Sequence, residues 1–297
     1  MLTQIFSLKQ ESPSDLESIL RSSLALKQQV AQKGWSSLAL DQPYLVFQIF
    51  FEPSTRTRVS FETAAQRLGA RHSYFQMDGF TSMSKGESIA DSLKVFEMNH
   101  PDLLIIRSGE HIDVEQFYQN TSIPIICAGY GELYHPTQAF LDLVTIMEYK
   151  DTERVSGLKL LFVGDAKHSR VAHSHSVIAQ KLGYELGQCA DPAHWSGESH
   201  WQKFSNLDEA MDWADVVIRL RTQKERGALD VSKDYMITQK LLEKHDVPLM
   251  HPGPFLRNED FEFGLAEHKN SLIWQQKENG HYVRAFLMKA LLTKEKI

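Results

Sequence analysis

Cysteine is scarce in this chain: 297 residues hold two, Cys127 and Cys189. Two distant thiols make no disulfide framework, and no paired-cysteine spacing offers a zinc site. Long apolar runs are missing as well. No stretch approaches the roughly 20 residues that a membrane-crossing helix needs. The segment after Met1 lacks the apolar core of a secretory leader. Basic blocks are absent too. Lys and Arg are spread along a chain of net charge −6, without the aromatic-basic interleaving of nucleic-acid binders. There is no Gly-rich Walker loop, and the Gly-x-Gly-x-x-Gly pattern begun by Gly129 and Gly131 is broken at Tyr134. His173 and His175 stand two apart and share no helix face, so the histidines around them predict no metal site. These absences leave a chain of the reduced cytoplasm that works without metal, cofactor, nucleic acid or membrane.

What is present is ordinary in amount and specific in arrangement. The hydrophobic fraction is 42%, and 297 residues suffice for two domains with separate cores. Ser12-Pro13-Ser14-Asp15 predicts a helix start, with its apolar face running to about residue 32. Residues 44–51 read as a buried parallel strand, and 54–68 as a helix closed by Gly69. Helices are expected at 86–99, 114–119 and 136–149, and strands at 102–107 and 123–127. The polar run 150–154 marks a domain boundary, dividing 1–149 from 150–281. Strands at 158–163, 215–220 and 247–250 then alternate with helices at 169–182 and 232–243. A last helix over 282–293 is expected to pack back on the first domain. Two alternating series predict an α/β chain of two doubly wound domains with central parallel sheets. In such sheets ligands sit beyond the carboxyl ends of the strands, here in the interdomain cleft.

Five segments combine chemistry with such positions. In Ser54-Thr55-Arg56-Thr57-Arg58, hydroxyls and guanidiniums crowd the start of a helix that follows a buried strand. Free amides and the helix dipole make that end an anion site, and phosphate is the expected guest. His135-Pro136-Thr137-Gln138 holds an imidazole at another helix start, where it can donate to an oxygen. Ser84-Lys85-Gly86-Glu87 sets one lysine in a small polar loop. Arg170 and Arg221, with Gln223, follow second-domain strands. Arginine forks bind carboxylates bidentately, so two of them suit a dicarboxylate. His251-Pro252-Gly253-Pro254 forces a rigid turn that can aim carbonyls at an amine, and an X–Pro bond there can be cis. Taken one at a time, each has a plainer reading: a capped surface helix, a packed histidine, a solvated loop, an ion-paired arginine, a tight turn.

In this order along nearly the whole chain, the five segments resemble the aspartate/ornithine carbamoyltransferase family. His-Pro-Thr-Gln and the His-Pro-Gly-Pro turn favour the aspartate branch; ornithine enzymes usually carry a His-Cys-Leu-Pro turn at the latter place. The resemblance implies transfer of a carbamoyl group from carbamoyl phosphate to L-aspartate, an early step of pyrimidine synthesis. It implies that Ser54, Thr55, Arg56 and Thr57 hold the phosphate. Thr57, Arg107 and His135 would polarise the carbonyl, and Gln138 would fix the carbamoyl nitrogen. Arg170, Arg221 and Gln223 would hold the two carboxylates, and the Gly253–Pro254 turn, cis as in relatives, would face the amine. Glu52 and Arg226 would order the arginines. Lys85 would enter a neighbouring subunit's site, making a homotrimer whose active sites lie at the subunit interface. Higher assembly with regulatory chains or a dihydroorotase stays open, as do another amine acceptor and a silent paralogue that only binds carbamoyl phosphate. The chain departs from the family pattern at Ser108, Cys127 and Tyr130, where His, Asn and an acidic residue are usual. Thr81 stands where the lysine loop often has serine, so Thr81, Ser82 and Ser84 compete for the phosphate contact.

Overall fold

A computed structural model describes residues 4–77, 86–109, 115–224 and 227–294. The chain forms two compact units, Met1–Phe140 with Gly280–Ile297 and Leu141–Asn279.

The first unit begins with β1 (Gln4–Ile5) and α1 (Pro13–Lys33). Ser12 starts α1 through a reciprocal cap. Its Oγ accepts from the Asp15 N–H at 3.2 Å, and Asp15 Oδ2 accepts from the Ser12 N–H at 3.1 Å. There follow β2 (Leu45–Phe50), α2 (Thr55–Leu68), β3 (Arg71–Gln76), α3 (Ile89–Glu97), β4 (Leu103–Ser108), α4 (Glu115–Asn120) and β5 (Ile125–Tyr130). The sheet order is β1-β5-β4-β2-β3, with every pairing parallel. Phe47, Ile49, Leu104, Ile106, Ile125 and Cys127 form one buried face beneath Leu93 and Tyr118. The chain leaves β2 for β3 on one side and then crosses back to β4 on the other. The carboxyl ends of β2 and β4 are therefore the switch point, where such sheets bind ligands.

The second unit is laid out in the same way. Its elements after α5 (Pro136–Lys150) are β6 (Lys159–Gly164), α6 (Arg170–Leu182), β7 (Glu185–Cys189), β8 (Gln202–Phe204), α7 (Leu207–Trp213), β9 (Val216–Leu220), α8 (Gln239–His245), β10 (Leu249–Met250) and α9 (Ile273–Thr293). Five parallel strands run in the order β10-β9-β6-β7-β8, so its switch point lies between β6 and β9. Gly187 is glycine because a Cβ there would sit 2.6 Å from the Trp213 ring, which packs against β7.

Several elements differ from the expectations. Strands β1, β3, β7 and β8 and helix α7 were not foreseen. The helix expected over 232–243 is two pieces, a turn of 3-10 helix at Lys233–Tyr235 and α8 from Gln239. Ser232 and Thr238 each cap a separate start, with side-chain oxygens accepting from Asp234 N–H at 3.2 Å and Leu241 N–H at 3.3 Å. Between them Ile237 is extended and exchanges backbone bonds with Asp260 and Glu262. Helix α9 starts at Ile273 rather than 282. Asn279, ahead of the expected start, donates to Thr145 Oγ1 at 3.0 Å and Glu148 Oε2 at 2.9 Å. The passages between the compact units, at Phe140/Leu141 and Asn279/Gly280, fall inside α5 and α9. Gln276 and Asn279 hold the body of α5 to the second unit through Asp142, Thr145 and Glu148. The later turns of α9 belong with the first, where Tyr282 stacks on Trp35 at 5.2 Å and Arg284 donates to Ser60 at 2.7 Å. No helix among the described residues is long and apolar enough to cross a membrane.

Candidate active site

In the first unit, β2 delivers the chain through Phe51-Glu52-Pro53 to Ser54, the N-cap of α2. Ser54 is extended, at φ −159°, and its side chain makes no capping bond. Its Oγ donates instead to Thr57 Oγ1 at 3.0 Å. The first-turn amides of α2 thus have no cap from the Ser54 side chain, and the helix dipole adds positive potential there. Thr57 is buried, whereas Thr55 and Arg56 lie on the surface. Arg58 turns away, stacked over the Tyr74 ring at 3.9 Å and 3.7 Å from Glu62.

Arg107 stands beside this helix start because β4 pairs with β2 in a register that sets Arg107 against Phe50. Its guanidinium is nearly buried. One nitrogen donates to the Ala128 carbonyl at 3.0 Å, and another meets Glu52 Oε1 at 2.6 Å. Glu52, on the turn into α2, therefore orders Arg107 as expected. His135 and Gln138 come from the next strand along. A tight turn closed by paired backbone bonds between Tyr130 and Tyr134 carries the chain from β5 to His135. Gly131 in that turn adopts φ +47° and donates to the Ser108 carbonyl at 3.0 Å. His135, Thr137 and Gln138 are buried at the start of α5, and the His135 carbonyl accepts from Gln138 N–H at 3.0 Å. Ser108, Cys127 and Tyr130, the three departures, all lie on β4 and β5, the strands that this turn follows.

In the second unit, β6 ends at Gly164, whose φ is +111°. A Cβ at this position would collide with the Arg219 guanidinium and the Leu220 carbonyl, so only glycine fits. The next residue, Asp165, is fully buried and binds the neighbouring loop. One oxygen accepts from His168 Nδ1 at 2.9 Å, and the other accepts from Gln223 N–H at 3.1 Å. Ser169 caps α6 and sets Arg170 at its first position. Arg221 donates to the Thr222 carbonyl at 3.1 Å and to Gln223 Oε1 at 3.4 Å. Arg170, Arg221 and Gln223 are thus carried by the two segments that leave the β6/β9 switch point. After β10, the Gly253–Pro254 bond is cis, and Gly253 N–H donates to His251 Nδ1 at 2.9 Å. Burial holds the His251 imidazole down at about 4, against the opposing pull of Asp260. Burial pushes the Asp260 carboxyl up, but His251 and Arg219 outweigh it and hold it below the ordinary range. Burial also raises the Cys189 thiol to about 12, which removes it as a nucleophile.

Lys85, Arg226 and the candidates Thr81, Ser82 and Ser84 lie outside the described residues. Among the described residues, no group of three or more His, Cys, Asp or Glu side chains is placed to hold a metal.

Comparison with known proteins places both units in one family. Residues 3–148 match the carbamoyl-P binding domain of aspartate/ornithine carbamoyltransferases, and residues 156–291 match their Asp/Orn binding domain. The chain belongs to the aspartate/ornithine carbamoyltransferase family. Within the family it is 37% identical over 263 residues to the aspartate carbamoyltransferase catalytic subunit of Helicobacter pylori strain Shi470, covering 84% of this chain and 85% of that one. It is 34% identical to the same subunit from Oceanobacillus iheyensis, covering 98% and 94%. Its fold superposes on Trypanosoma cruzi aspartate transcarbamoylase, solved with aspartate and phosphate, with a TM-score of 0.84 at 25% identity over 97% of this chain and 95% of that one.

Sequence reading names most of the polar side chains that carbamoyltransferase chemistry would use on both units. It gives no role to Asp165, which joins the two arginine-bearing segments, or to Arg219 and Asp260 beneath them. The signal for Arg219 is visible in retrospect: a lone arginine within the otherwise apolar strand Val216–Leu220. Its partner stands 41 residues on, out of reach of local pattern.

Proposed function

We infer that the chain is the catalytic subunit of an aspartate carbamoyltransferase. It transfers the carbamoyl group of carbamoyl phosphate to the amine of L-aspartate, giving N-carbamoyl-L-aspartate and phosphate. The uncapped start of α2 beside Arg107 carries this reading, because such a helix terminus next to an ordered guanidinium is built for a phosphoryl group. Ser54, Thr55, Arg56 and Thr57 hold the phosphate. Thr57, Arg107 and His135 donate to the carbonyl oxygen, and Gln138 fixes the carbamoyl nitrogen. Arg170, Arg221 and Gln223 take the carboxylates, and the Gly253–Pro254 turn faces the amine.

The amine nitrogen bonds to the carbamoyl carbon, and the carbonyl pair collects on oxygen. The tetrahedral oxyanion is met by the donors at Thr57, Arg107 and His135. It collapses with cleavage of the carbon–oxygen bond to phosphate, which departs with the amine proton. No protein nucleophile is needed, and positioning with preorganised donors supplies the rate. Lys85 completes the site of a neighbouring subunit in a homotrimer. The enzyme works in the cytoplasm, where the buried thiols of Cys127 and Cys189 stay reduced.

The test offers purified chain carbamoyl phosphate with L-aspartate or L-ornithine in parallel. Carbamoyl aspartate alone is the expected product. Transfer to ornithine would move the chain to the other branch, and no transfer from folded protein would remove the enzymatic reading.

A further inference from the structure

Three segments of the second unit carry the groups assigned to the dicarboxylate and its amine: the β6–α6 loop, the segment after β9 and the turn after β10. One guanidinium lies beneath all three. Arg219 is 3% exposed, in the middle of the sheet, and cannot touch a substrate. It donates to the carbonyl of Val163, its register partner in β6, at 3.1 Å, and to that of Leu220, the residue before Arg221. Its Nε donates to the Asp260 carbonyl at 3.0 Å, and Nη2 lies 3.4 Å from Asp260 Oδ1. The other Asp260 oxygen accepts from Leu256 N–H at 2.8 Å and faces His251 Nε2 at 3.3 Å. His251 Nδ1 in turn accepts from Gly253 N–H. Because Nδ1 accepts, the proton of the neutral imidazole sits on Nε2, the nitrogen 3.3 Å from Asp260. The chain of contacts runs without a break from the end of β6, through Arg219, Asp260 and His251, to the Gly253 amide.

Stability alone does not account for this arrangement. β9 is otherwise Val216, Val217, Ile218 and Leu220, and an aliphatic residue would fill the place of Arg219. Replacing a buried ion pair by apolar groups is commonly neutral or stabilising. What an aliphatic residue cannot do is fix the ends of β6 and β9 and the loop after β10 against one another through directed bonds. The absence of a side chain at Gly164 leaves room for the guanidinium.

We propose that Arg219, locked by Asp260, is the positioning residue of the aspartate half-site, setting the mutual placement of Arg170, Arg221 with Gln223, and the Gly253–Pro254 turn. The inference rests on the aspartate reading of that half.

The experiment measures steady-state KM for each substrate in the parent chain and two variants. Arg219→Met/Asp260→Asn removes both charges, while the amide oxygen introduced at position 260 keeps an acceptor for Leu256 N–H. Arg219→Lys keeps the charge but has no fork to span Val163 and Asp260. KM does not depend on how much of the protein is folded, so residual activity suffices in either variant. In both, the KM for L-aspartate rises about tenfold or more, as misplaced binding groups require. The KM for carbamoyl phosphate stays within about twofold, as expected of a site on the other unit. An aspartate KM equal to the parent's in either active variant overturns the inference, as does an equal rise in both KM values. If the parent itself does not saturate with L-aspartate, the aspartate reading falls and takes the inference with it.

Discussion

His135 tests the chemistry at the scale of a single side chain. In the proposed mechanism it is one of three donors to an oxygen that gains charge during transfer, and removing one such donor commonly costs about 10²–10³ in turnover. His135→Ala is expected to lower kcat by that order while the KM for aspartate, whose proposed binding groups lie on the second unit, changes little. Near-normal turnover would take His135 out of the mechanism. Most of the side chains proposed for the site could be read from sequence because each sits in a short run with unusual chemistry, such as three hydroxyls and two arginines in five residues at 54–58. Arg219 and Asp260 could not. Each is a single charged residue in an apolar or turn-like setting, and their meaning arises only when strand pairing brings β6, β9 and the loop after β10 together.

At the scale of elements, the turn after β10 has a titratable anchor. His251 ordinarily gains a proton near 6.5; in the folded chain burial holds that value down to about 4. Between these values the unfolded chain binds a proton that the folded chain refuses, so stability rises with pH. The contribution is complete above about pH 6.5 and is lost as pH falls to about 4, an amount on the order of 3 kcal/mol. Asp260, held below its ordinary range, adds loss in the same direction. Urea unfolding at a series of pH values is expected to show a steeper acid loss for the parent than for His251→Asn, which keeps an acceptor for Gly253 N–H. Equal slopes would mean that His251 titrates alike in both states. The strands that escaped sequence reading are edge or poorly apolar ones. β3 is Arg-His-Ser-Tyr-Phe-Gln, half exposed at the sheet margin, and β8 has three residues. β7 carries Gly187 and Gln188 where a buried strand ordinarily shows branched apolar side chains. Central strands such as β2, β4 and β9 were legible because both of their faces are covered and their runs are mostly apolar.

At the scale of the whole molecule, the proposed trimer with a shared site has a direct consequence. Lys85→Ala and Arg56→Ala chains would each be inactive alone. Randomly mixed trimers would contain some sites with Arg56 from one chain and Lys85 from another, and activity should return. Mixed trimers verified by mass that remain dead would place Lys85 in its own chain's site. The unit boundaries bear on how the protein is made. Both passages between units, at Phe140/Leu141 and Asn279/Gly280, fall inside helices, and one unit is continuous while the other is completed by Gly280–Ile297. During synthesis the second unit therefore has its whole sequence available first, although the first unit was begun earlier. Arg284 and Tyr282, which bond to Ser60 and stack on Trp35, are made after the whole of the second unit. The first unit is therefore complete only once the later turns of α9 have been made, so the usual order, in which the N-terminal domain folds ahead of the one that follows, is not open to the whole of it.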